Sequence, residues 1–207
     1  PIVGIGESSH GVAAFKQIPR QLVRRLVDAH GYRLLAMEDT LGNVAPVDAY
    51  VTGSEDDLEA AMSSLGFYFW RTESLKRTFE WLREFNAGRP AGSRVRVRGY
   101  DAQFYEANAT AIREYLERVD PAYLAEIRDA LDPLAESRER ADASVATERH
   151  ASLLDSLRER LRAQESAYVR RSSRSAWRLA RRHVFTLARG LRVRRALVAE
   201  NYTEGKT

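Results

Sequence analysis

Short apolar runs alternate with amphipathic stretches from Pro1 to Asp101, and this alternation then stops. Pro1–Ile5 is apolar and ends at Gly6, the pattern of a short buried strand. Phe15, Ile18, Leu22, Val23, Leu26 and Val27 recur at helical spacing up to Gly31, with Pro19 marking either a kink or the true start of the helix. Arg33–Met37 reads as a second strand that stops at Glu38-Asp39. Asp56–Met62 predicts a short helix. Thr72–Phe85 predicts a longer one, with Thr72 as its cap and Leu75, Phe79 and Leu82 on one face. A Gly/Pro loop over Gly88–Ser93 precedes the alternating Arg94–Arg98, a third strand ending at Gly99-Tyr-Asp101. Strands separated by helices specify an α/β fold, a parallel sheet core flanked by helices.

From Ala107 to about Leu197 the period is helical throughout, with Ile112, Tyr115, Leu116, Leu153, Leu157 and Leu161 in register. The expected organisation is one domain over residues 1–207, with an α/β core over 1–103, a large helical insertion over 104–197 and a return to the core over 198–207. Charge is uneven across the insertion. Asp101–Ala167 holds 15 acids and 9 bases, whereas Tyr168–Arg195 holds 10 arginines and no acid. Such a basic run can bind nucleic acid or an anionic surface. The reading preferred here is a basic helix lying on acidic neighbours, so nucleic acid is not expected as a partner.

Composition narrows the classes further. With no cysteine, a disulfide scaffold, a thiolate metal site and a cysteine nucleophile are all excluded. No apolar run approaches the ~20 residues of a membrane helix, and no signal peptide opens the chain, so a cytoplasmic protein without a membrane partner is expected. The first residue is Pro1, and the incomplete sheet suggests a chain truncated at both ends.

In a parallel sheet, ligands bind beyond the carboxyl ends of the strands. Those ends carry Gly6-Glu-Ser-Ser-His-Gly11, Met37-Glu-Asp39 and Gly99-Tyr-Asp101, which would bring Glu7, His10, Glu38 and Asp101 to one rim. A histidine among carboxylates is suited to general-base work, because the carboxylate orients the ring and raises its proton affinity. Each residue alone also has an ordinary reading, as a helix cap, an ion-pair acid or a core histidine. Gly6 and Gly11 flank Glu7 and His10 as a tight turn would, and this favours the catalytic reading. The segment is not a nucleophile elbow, since His10 stands where that motif has glycine. Gly205-Lys-Thr207 lacks the upstream glycine of a phosphate-binding loop.

Gly4-Ile-Gly-Glu-Ser-Ser-His-Gly11, followed by a helix and Leu35-Ala-Met-Glu38, resembles the opening of the erythromycin esterase family. Trp70-Arg-Thr-Glu73, Trp81-Leu-Arg-Glu-Phe-Asn86, Val97-Arg-Gly-Tyr-Asp101 and Ala199-Glu-Asn201 extend the resemblance in the same order. The resemblance implies a hydrolase of carboxylic esters, with a macrolide lactone as substrate and hence a part in antibiotic resistance. It also implies that His10 activates water, that Glu7 and Glu38 are its acidic partners, and that Glu73, Arg83 and Asp101 line or support the pocket. No cofactor is expected and no metal is predicted. Ala14 and Pro19 stand where the family commonly has Glu and a basic residue, and the chain stops before the family's later histidine-bearing strand. The alternative is a non-catalytic family member serving as a binding module, with the arginine-rich helical segment on nucleic acid or another anionic surface.

Overall fold

A computed structural model describes residues 1–6, 13–136 and 148–204. The chain divides into two compact units, one of Pro1–Asp39 with Asn43–Tyr100, the other of Thr40–Gly42 with Asp101–Thr207.

The first unit contains α1 (Ala13–His30), all but the last residue of β1 (Leu34–Thr40), most of α2 (Leu41–Thr52), α3 (Leu58–Ser63), α4 (Glu73–Asn86) and all but the last residue of β2 (Arg96–Asp101). Pro19 therefore lies inside α1, not at its start. Gly31, at φ +70°, ends α1 in the left-handed conformation that glycine adopts without strain. Thr72 caps α4 as its sequence predicts, its hydroxyl accepting from the Leu75 N–H at 3.3 Å. Phe79 and Leu82 of α4 are fully buried against Val44, Val47 and Val51 of α2 and Val95 and Val97 at β2. β1 and β2 pair in parallel, so the expected α/β class is observed.

The first expected strand is not formed. Residues 1–6 carry no regular structure, and Ile2 is 98% exposed. Gly4 and Gly6 within this run weaken a strand, and no neighbouring face buries its side chains. The sheet among the described residues consequently has two strands, not three.

Helix α2 has no counterpart in the pattern reading. Gly42 and Pro46 lower its helix propensity, and its apolar residues do not form a single stripe flanked by charge. It is stabilised instead by burial and by two polar anchors. Asp48 accepts from Arg96 Nε at 2.9 Å, from Arg96 Nη2 at 2.5 Å, from the Val97 N–H at 2.9 Å and from Arg98. Burial pushes the Asp48 carboxyl up, but the Arg96, Arg98 and Val97 bonds outweigh it and hold the group below the usual range. Asn86 donates to the carbonyls of Val51 and Val95 and accepts from the Val95 N–H, tying the ends of α2 and α4 to β2.

The second unit is helical: α5 (Glu106–Val119), α6 (Pro121–Glu136), α7 (Glu148–Ala163), α8 (Glu165–Arg171) and α9 (Arg174–Glu204). Ile112, Leu116, Leu124, Leu131, Leu157, Leu161 and Leu187 fill its core. The carboxylate of Asp120 organises it. Asp120 accepts from the Tyr123 N–H at the start of α6, from Arg160 Nε and Nη2 of α7, and from the Tyr168 hydroxyl of α8 at 2.5 Å.

The basic segment is helical and packs on α5 and α7, as its apolar spacing predicts, but with a break at Ser172-Ser173. Ser173 explains the break: its hydroxyl accepts from the Ala176 N–H and caps α9. Trp177, Ala180, Val184, Leu187 and Leu191 are buried, while Arg174, Arg178, Arg181, Arg182, Arg189 and Arg192 are exposed. Gly190 is required by the packing, since a Cβ there would lie 2.5 Å from the Ala102 carbonyl oxygen.

Candidate active site

Side chains along β1 alternate near its carboxyl end. Met37 and Asp39 are buried and Glu38 is exposed, so the strand presents one carboxylate to solvent and retains the next inside. The backbone at Glu38 is fixed by a hydrogen bond from the Trp70 indole Nε1–H to its carbonyl, 2.9 Å. Asp39 is fully buried; one oxygen accepts from Asn43 Nδ2 at 2.9 Å and the other from the Gly66 N–H at 2.8 Å. Ser64 Oγ donates to the Asn43 carbonyl at 2.7 Å, and Arg71 Nη2 to the Leu65 carbonyl at 2.7 Å.

These bonds hold the segment from Ser64 to Arg71 against the end of β1. Within it, Tyr68–Trp70 forms one 3-10 turn, and the rings of Phe67 and Phe69 stack at 4.9 Å. Tyr68 is 80% exposed despite this rigid support. An exposed carboxylate and an exposed aromatic ring thus belong to elements that are directly hydrogen-bonded to one another.

The other expected site residues are placed as follows. Glu73 opens α4 on the surface and pairs with Arg77 at 3.0 Å. Arg83 lies ten residues further along the same helix, about 15 Å by the helical rise. Its guanidinium stacks over Tyr50, donates to the Tyr50 and Glu55 carbonyls and pairs with Asp56. Arg83 therefore secures the α2–α3 connection, and it shares no contact with Glu73. Asp101, the last residue of β2, belongs to the second unit. Its Oδ1 accepts from the Ala102 N–H at 2.7 Å, while Oδ2 is buried without a partner among the described residues. Glu7 and His10 lie outside the described residues.

Two acids not selected from sequence have unusual surroundings. Asp39 ends the apolar run of β1, and nothing local in sequence marks it as buried. Glu106, the first residue of α5, reads as a routine N-terminal helix acid. Burial pushes its carboxyl above the usual range, against the lowering effect of its own N–H and that of Tyr105, the latter at 3.1 Å. Among the described residues, no group of three His, Asp or Glu side chains is placed to hold a metal ion, and no helix is long and apolar enough to cross a membrane.

Comparison with known proteins gives a consistent assignment. The chain is 27% identical over 135 residues to the type II erythromycin esterase of Escherichia coli, covering 63% of this chain and 31% of that protein. Its fold matches a succinoglycan biosynthesis protein (TM-score 0.73, 17% identity, 92% of this chain and 46% of that one). It also matches a Bacillus cereus protein (TM-score 0.75, 19% identity, 92% and 47%). A variant of the erythromycin esterase EreC in its open conformation aligns over 98% of this chain and 51% of its own (TM-score 0.67, 15% identity). The chain thus spans about a third of the curated relative and about half of each solved structure. The family model described as erythromycin esterase matches residues 27–206, and the chain belongs to the erythromycin esterase family.

Proposed function

We propose that this chain forms part of a carboxylic-ester hydrolase, with a macrolide lactone as one substrate, in which His10 is the general base and Glu7 and Glu38 are its carboxylate partners. In the reaction, His10 takes a proton from water as the water oxygen attacks the ester carbonyl. The tetrahedral intermediate then collapses, the C–O bond to the alcohol breaks, and the imidazolium returns its proton to the departing oxygen. Glu7 and Glu38 orient the ring and stabilise its cationic state. No covalent enzyme intermediate is formed.

The single observation that carries this reading is the placement of Glu38. It is an exposed carboxylate at the carboxyl end of a parallel strand, its own carbonyl held by Trp70 and its neighbour Asp39 locked in the interior. Family membership supports ester hydrolysis as the reaction class. Asp101, with one carboxylate oxygen accepting from Ala102 and the other buried without a partner among the described residues, has a supporting role in this proposal. Arg83 acts at a distance by securing the α2–α3 connection, and Glu73 contributes at the surface.

The test is hydrolysis of a p-nitrophenyl ester and of a macrolide lactone by the complete protein. His10→Ala is expected to lower kcat/KM by about 10²–10⁴ while thermal stability is retained. Glu38→Gln is expected to do less, because the amide oxygen still accepts a hydrogen bond from the ring. Undiminished hydrolysis in His10→Ala would overturn the mechanism.

A further inference from the structure

We infer that the cleft between α7 and α9 is a binding site for a small organic anion, one that joins a carboxylate or phosphate to an apolar body about the size of an aromatic ring. The cleft is lined by Arg158, Leu161, Arg162, Arg181, Val184 and Phe185, and its volume is about 150 Å³. A cavity of that size accommodates one benzene ring. Leu161 and Val184, each 1% exposed, supply an apolar floor, and Phe185, 56% exposed, supplies an aromatic wall.

All three charged residues of the lining are arginines. Arg158 is partly neutralised by Asp155 at 2.8 Å. Among the described residues, no ion pair joins Arg162 or Arg181 to an acid. Arg181 stacks on the Trp177 ring with 4.8 Å to the centroid, and that ring is fixed by its Nε1–H donating to the Leu161 carbonyl at 2.8 Å. A guanidinium held by its face keeps its N–H edge available for a bidentate bond to an oxyanion. The exposed Arg178, Arg182, Arg189 and Arg192 of α9 add to the same positive field and favour approach of an anion.

A nucleic-acid strand is the competing occupant for so basic a helix, and the aromatic content argues against it. Single-strand binders stack successive bases on several exposed rings. Here Phe185 is the one exposed aromatic among the described side chains of α9, and Arg189 already lies over it at 5.1 Å. One ring wall, a cleft of ring-sized volume and two guanidiniums without an ion-pair partner among the described residues fit a single small ligand.

The test is calorimetric titration of the full chain with phenyl phosphate, inorganic phosphate and benzyl alcohol. Phenyl phosphate is expected to bind at least about tenfold tighter than either fragment, a difference of ~1.4 kcal/mol. Arg162→Glu and Arg181→Glu are each expected to weaken it about tenfold or more, whereas Arg192→Glu, outside the cleft, should change it less than about twofold. Circular dichroism checks that each variant is folded, and Arg162→Gln, at an exposed position, provides a milder second variant. Three results would overturn the assignment: equal affinity for inorganic phosphate, an Arg192→Glu effect as large as that of Arg181→Glu, or competition by a single-stranded oligonucleotide that strengthens with its length.

Discussion

The buried carboxylate of Asp39 accepts the N–H of Gly66 at 2.8 Å, and through this bond the end of β1 fixes the start of the aromatic turn that contains Tyr68. The other oxygen of Asp39 is satisfied by Asn43. A residue with no solvent exposure thus sets the surroundings of the exposed Glu38 beside it.

Asp39→Ala is therefore expected to destabilise the first unit by about 2–4 kcal/mol, because the Gly66 N–H and the Asn43 amide lose their acceptor inside the protein. Urea denaturation followed by the fluorescence of Trp70 and Trp81 reads this directly. Asp39→Asn, which keeps one acceptor, should lose less, and an unchanged midpoint for both variants would contradict the role given to Asp39.

Tyr68→Ala should leave stability within about 0.5 kcal/mol, since the ring is 80% exposed. If the aromatic turn supports the substrate beside Glu38, KM for a bulky apolar ester should rise several-fold while KM for an acetate ester is unchanged. Equal effects on both substrates would place Tyr68 outside the substrate-binding surface.

The Asp120 cluster predicts an acid-sensitive helical unit. Burial raises the Asp120 carboxyl, but hydrogen bonds from Tyr168 and Arg160 lower it further, so the net shift is below the usual value of about 4. As the pH falls through this lowered range, the unfolded chain binds a proton that the folded chain refuses, and stability is lost; above about pH 4 the contribution is complete. The Tyr168 phenol is shifted upward, first by burial and then by Asp120, so its contribution is complete below its ordinary value of about 10 and declines at higher pH. Denaturation monitored at Trp177 should show both flanks, and Asp120→Asn should flatten the acid one.

Gly190→Ala should destabilise the helical unit by about 1–3 kcal/mol, even though alanine is the better helix former. The added methyl would meet the Ala102 carbonyl oxygen at 2.5 Å, with backbone rather than a flexible side chain in the way. A raised melting temperature in this variant would mean that the two segments separate readily.

Local spacing was sufficient to locate α4 with its Thr72 cap, the end of α1 at Gly31, both strands of the sheet and the helical character of the chain beyond Ala107. Each of these depends on neighbours within a few residues, and that is the range over which a periodic pattern is legible. The strand-end position of Glu38 was legible for the same reason, because it lies where an apolar run ends.

Tertiary structure decided the rest. Helix α2 persists through Gly42 and Pro46 because burial and the Asp48–Arg96 pair, 48 residues apart, outweigh its weak propensity. Residues 1–6 have the composition of a strand, yet among the described residues no partner strand or covering face takes them up. Asp39 and Glu106 look like common acids until burial distinguishes them, and Asp120 meets Tyr168 only after four helices have packed. The sequence by itself determined most of the helices, both strands of the sheet and which acid stands at a strand end. Which polar groups are enclosed, and with whom they are paired, was settled by long-range packing, because desolvation and partner geometry exist only in the folded chain.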